Sequence, residues 1–344
     1  MNNDNKPTRE QLKELYEAAI AFKQEQPWSR LYDSDVICLE NPVDKTIAHC
    51  SVMGRVGDYF ALGVYFGDEG ICNLWRLMGD DNTLSDQELI NNQNCLMCSF
   101  EDRSTLTSEE LKQIKDLGLS FRGKKQWPIF CRYEPGFFPW YINKEECIFL
   151  THALKQILIV SRDISDGKLE IDTDNGETIL RYSQEQNGKL EWYNKKVPLM
   201  VPIVSYSPVE ITDELLIYRI KKAGRKRNLI LQADICYFPA PVQNSKNERP
   251  YYPRIFLLLD KQSGLAIRYK MFDIRDDDVH ICLNELVSFC MEQGVPGEII
   301  VRGEAMETIL DDFCNKTNVK LTVVDRLPDI DNILEEMASN LPWQ

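Results

Sequence analysis

From residue 212 onward the apolar periodicity switches repeatedly between a strand-like and a helix-like repeat, in an order that few sheets can accommodate. An amphipathic helix through Leu215, Leu216, Tyr218 and Ile220 ends at Gly224, and strands are then expected at 229–238, 254–260 and 265–272. The turn Gln262-Ser263-Gly264 joins the last two. Beyond them helices and strands alternate: helix 277–293, strand 298–301, helix 304–316, strand 320–324 and helix 329–339. Strands linked by tight turns pair antiparallel, whereas strands reached through a helix cross over and pair parallel. A mixed sheet flanked by helices follows.

The first half carries a different pattern. Thr8 and Gln11 form a capping box ahead of Leu12, Leu15, Ala19 and Phe22, which predicts a helix ending near Pro27. Three alternating stretches at 35–40, 46–53 and 58–65, parted by turn residues, predict an antiparallel meander. Gly67, Asp68 and Glu69 introduce a helix through Leu74, Trp75 and Met78. Two more boxes, Ser85 with Glu88 and Thr107 with Glu110, bracket a buried strand in CLMCSFEDR. Asn143 caps a helix that is apolar around nearly its whole circumference, the expected centre of this half. Asn187-Gly188 predicts a two-residue hairpin with Tyr182 opposite Tyr193.

With 344 residues there is chain enough for about two domains. Pro198, Pro202 and Pro208 mark 198–208 as the linker, giving an α+β organisation in two parts. Residues 1–200 are expected to form an antiparallel sheet with helices, and residues 209–344 the mixed sheet.

A net charge of -14 excludes general attraction to phosphate backbones or anionic membranes, and leaves nucleic acid only local basic patches. It also suits a basic protein partner. The eleven cysteines stand mostly singly in apolar runs, as free thiols of a reducing cytoplasm do. Cys95-x-x-Cys98 has no second pair to complete a zinc site, and on a strand its two sulfurs point to opposite faces. The polar N-terminus reads as neither signal peptide nor anchor, and no apolar run reaches membrane-spanning length. Neither a metal nor a cofactor is expected, and GxxxxGK, GxGxxG, GxSxG and HExxH are all absent.

Two stretches concentrate candidate binding residues. Residues 121–143 interleave Arg122, Lys124, Lys125 and Arg132 with Trp127 and Trp140, broken by Pro128, Pro135 and Pro139. Such a segment serves either as an aromatic-anchored loop or as a contact surface for a protein or small ligand. The basic run 221–227 follows a helix, where cations complement the dipole; it is also the place where nucleic acid or an acidic partner would bind.

Segments 50–54 (CSVMG), 61–70 (ALGVYFGDEG), 95–103 (CLMCSFEDR), 117–128 (LGLSFRGKKQWP), 135–142 (PGFFPWYI) and 150–154 (LTHAL) resemble a bacterial family known as a domain of unknown function. Residues 251–330 resemble a second such domain that accompanies the first. The resemblance implies two domains and no mechanism. The element order of the second half is, in addition, similar to the ribonuclease H-like fold. Enzymes of that fold gather two metal ions with carboxylates from the first strand, the end of the fourth and a late helix. Asp234 and Glu335 or Glu336 stand at two of those places, but Val301-Arg302-Gly303 occupies the fourth-strand position, with Glu304 just beyond. An arginine there repels a metal. The expected function is that of a non-catalytic cytoplasmic binding or regulatory protein, its contact residues Arg122, Lys124, Lys125, Trp127, Arg132 and Trp140. The alternative is a divergent metal-dependent nuclease using Asp234, Glu304 and Glu335.

Overall fold

A computed structural model describes residues 5–79, 86–245 and 248–340. In chain order its first part runs α1 (Arg9–Glu25), β1 (Ile37–Glu40), β2 (Ile47–Met53), β3 (Ala61–Phe66), α2 (Gly67–Met78), α3 (Asp86–Asn91), β4 (Cys95–Glu101), α4 (Ser108–Asp116), β5 (Trp127–Tyr133), β6 (Trp140–Tyr141), α5 (Lys144–Ser165), β7 (Glu177–Gln186) and β8 (Lys189–Pro198). There follow α6 (Glu214–Lys222), β9 (Arg225–Tyr237), β10 (Arg254–Asp260), β11 (Leu265–Phe272), α7 (Asp278–Gln293), β12 (Val295–Arg302), α8 (Gly303–Thr317), β13 (Lys320–Val324) and α9 (Pro328–Ser339). The chain divides into two compact units, with the change at Ile203 and Val204. Residues 80–92 and 136–138 belong with the second unit.

The first unit holds an eight-stranded sheet in the order β6-β5-β4-β3-β2-β1-β7-β8. Its meander pairs antiparallel as expected, but β7 joins β1 in parallel, so the sheet is mixed at that one seam. The β7–β8 hairpin closes at Asn187-Gly188, both at positive φ, and sets Tyr182 opposite Tyr193 with ring centroids 5.7 Å apart. Three capping boxes are formed, at Thr8, Thr107 and Asn143; the pairing expected of Ser85 lies outside the described residues. The 22-residue α5 packs with α1 over one sheet face, as its nearly all-round apolar surface requires. Phe22 and Leu154 are both fully buried there, each contributing roughly 1.5–3 kcal/mol. Cys98 lies in that core, whereas Cys95 packs with Tyr65, Ile71 and Leu74 on the other side, so the CxxC sulfurs diverge.

The second unit holds a five-stranded sheet in the order β11-β10-β9-β12-β13. β10 runs antiparallel to β9 and β11, while β9, β12 and β13 run parallel. Leu231, Ala233, Ile299 and Val301 face the helices α6, α7 and α8; Cys236, Ile300, Leu257 and Leu259 face α9. The basic run splits: Lys221 and Lys222 end α6, and Arg225, Lys226 and Arg227 begin β9, which starts four residues earlier than its apolar pattern.

Candidate functional site

The densest buried charge among the described residues lies in the second unit, at the end of β12. Register places Val301 beside Ala233, so the next pair along these parallel strands is Arg302 and Asp234, on the α9 side of the sheet. Arg302 donates to Asp234 Oδ2 through Nε at 2.8 Å and through Nη2 at 2.5 Å. Nη2 also donates to Asp331 Oδ1 on α9 at 2.8 Å, and Nη1 stands 3.7 Å from Glu88 Oε2 on α3. Beside this cluster Gln232 donates to Asp329 Oδ2 at 2.8 Å.

Burial sets the electrostatics. Asp234 is 3% exposed and Arg302 7%. Desolvation raises the Asp234 carboxyl above its ordinary value, and Arg302 pulls the other way with a smaller effect. Desolvation likewise works against the Arg302 charge, but Asp234, Glu88 and Asp331 outweigh it and hold the guanidinium protonated. Three planar donor directions meet three carboxylates, which a lysine could not match. Chemically, the guanidinium is a fixed internal cation that neutralises the carboxylates around it.

The carboxylates singled out from sequence differ in burial. Asp234 is in the cluster, but Glu304 and Glu335 are exposed, as is Glu336. The late helix reaches Arg302 through Asp331, one turn before Glu335, and the third carboxylate, Glu88, comes from α3. Sequence reasoning missed both. Among the described residues no group of three or more His, Cys, Asp or Glu is arranged to hold a metal ion.

Apart from residues 136–138, the basic and aromatic stretch lies in the first unit and serves its packing at several points. Trp127 is buried in the main core, its ring 5.7 Å from Phe121. Arg132 pairs with Glu146 at 3.3 Å, donates to the carbonyls of Cys95 and Tyr133, and lies over the Phe66 ring. Lys125 donates its backbone N–H to Asp102 and its ammonium to the carbonyls of Gly57 and Asp58. Trp140 is half-buried against Tyr141, and Arg122 and Lys124 are exposed. In the basic run, Arg225 donates to the Asn318 carbonyl and Lys222 lies over Tyr218.

No curated protein matches the chain. Two family models do: residues 13–181 match a Domain of unknown function (DUF7309), and residues 216–338 match a Domain of unknown function (DUF6930). The chain is thus a two-domain protein in which a DUF7309 region precedes a DUF6930 region, each known as a domain of unknown function.

Proposed function

We propose that this is a cytoplasmic binding or regulatory protein whose second unit is a ribonuclease H-like sheet carrying an arginine in place of catalytic cations. The strand order, with its antiparallel second strand, supports the fold assignment. The observation that carries the functional reading is the double hydrogen bond from Arg302 to Asp234. A first-strand carboxylate so engaged, in a site that already contains a positive charge, is poorly placed to take a divalent ion. Ten of the eleven cysteines are buried and all are free, which suits a reducing compartment. Among the described residues no helix is long and apolar enough to cross a membrane.

The deciding experiment pairs Mn²⁺ titration calorimetry with cleavage assays on single- and double-stranded DNA and RNA. The expected result is no Mn²⁺ binding and no cleavage by the wild-type chain. Cleavage by the wild type that Asp234→Asn abolishes overturns the reading in favour of the nuclease.

A further inference from the structure

A groove of about 620 Å³ opens in the first unit between the start of α1, α4 and the outer edge of β5. Its walls are chiefly apolar, from Leu12, Tyr16, Pro128, Ile129, Phe130 and Ile142. Two features make it more than a surface dent. The first is Tyr16, which is 1% exposed and lines the groove. Its ring packs edge-on against Phe130, and among the described residues no hydrogen bond acts on its hydroxyl. The oxygen itself is not closed off from solvent, so it is open to a polar atom of a molecule seated in the groove.

The second feature is the sheet edge. β6 pairs with β5 only at Cys131 and Arg132, because the chain leaves the sheet at Asn143 to cap α5. Residues 127–130 are bonded on one side to residues 98–101 of β4 and have no strand on the other among the described residues. The Phe100 N–H turns to Phe60, so Pro128 and Phe130 are the residues that face away from β4, and this edge presents the Phe130 N–H and the two carbonyls to the groove. The rim carries both signs, Lys6, Arg9 and Lys112 against Glu109, Glu110 and Asp116, which suits a chain of mixed charge better than a polyanion.

We infer that the groove binds an extended peptide, which adds as a short strand beside Ile129 and Phe130 and sinks an apolar side chain between Leu12, Tyr16 and Ile142. The inference deepens the binding reading above and stands on a different unit. Its failure leaves the cleavage assay, and hence that reading, undisturbed.

The test uses the full chain as bait for a phage-displayed library of random peptides. Enriched sequences are synthesised and titrated by fluorescence polarisation. Tyr16→Phe, which removes one oxygen and keeps the packing, is expected to weaken binding about five-fold. Leu12→Arg, at a half-buried position on the groove wall, is expected to weaken it about twenty-fold or more. Hydrogen exchange at the Phe130 amide, which faces away from β4, should slow when peptide is bound. Four results overturn the inference: no sequence enriches; binders ignore both substitutions; exchange slows only elsewhere; or the groove belongs to another occupant. The last is read as a co-purifying small molecule in native mass spectrometry, or as a dimer of this chain that Leu12→Arg dissociates.

Discussion

Replacing Arg302 with methionine, whose unbranched apolar side chain follows the arginine stem and carries no charge, isolates the role of the internal cation. The change removes two hydrogen bonds to Asp234 and one to Asp331, and leaves a carboxylate that is 3% exposed without its counter-charge. Breaking a buried pair from one side costs about 3–5 kcal/mol, because the stranded ion carries the desolvation penalty alone. With a urea slope of about 2 kcal/mol per molar, the midpoint for the second unit should fall by about 2 M. Asp331 lies partly in solvent and can rehydrate, so most of the loss belongs to Asp234. The double variant Asp234→Leu/Arg302→Met should therefore recover to within about 2 kcal/mol of wild type. Acid should rescue the single variant. Without Arg302 the folded pKa of Asp234 rises further above its unfolded value, so the folded state takes up the proton more readily. The stability deficit must then shrink as pH falls from neutral toward the ordinary carboxylate range. Urea unfolding followed by circular dichroism at several pH values reads all three effects. A folded Arg302→Met variant with a midpoint within about 0.5 M of wild type would refute the reasoning. So would a deficit that neither acid nor the second substitution reduces.

The remaining predictions probe the two units separately. Lys23 lies over the rings of Phe60, Phe100 and Trp28, and burial, then repulsion from Lys125, lowers its pKa from 10.5 to about 8. The unfolded chain then holds that proton more tightly, so stability should rise as pH climbs from about 8 to 10.5, and Lys23→Met should flatten the rise in thermal melts. A Cβ at Gly297 would stand 2.1 Å from the Arg227 carbonyl, where the β9–β12 register slips, so Gly297→Ala should cost about 3 kcal/mol by urea unfolding. Asn143 accepts hydrogen bonds from the N–H groups of Glu145 and Glu146 at the head of α5, and Asn143→Ala should cost about 1 kcal/mol in the same assay.

How far the fold could be read from the chain follows from which forces are local. The boxes at Thr8, Thr107 and Asn143, the Asn187-Gly188 hairpin and the meander each depend on residues close in sequence, and each is present. The parallel seam between β1 and β7 joins segments far apart, and the start of β9 at Arg225 is polar, so neither left a periodic trace. The split of the contact stretch is similar: the alternation that carries Trp127 into the core is local, but the carbonyls that engage Lys125 and Arg132 lie on other strands and turns.

The buried cluster shows the same limit in its most consequential form. Asp234 and Arg302 were legible because each sits on a strand whose position the apolar pattern sets. Their neighbours were not, since a helix presents several acids at similar spacing and only packing selects Asp331 over Glu335. Glu88 comes from a short helix in the first half of the chain that joins the second unit, a placement no pattern in the second half implies. Yet these unseen carboxylates explain why a lone arginine is tolerated at the end of β12. Asp234 alone would leave a buried one-to-one pair whose desolvation its attraction barely offsets, while Asp331 and Glu88 give the remaining guanidinium directions their own counter-charges. An arginine held by carboxylates from a strand and two helices is positioned to tie those elements together, which is a structural task.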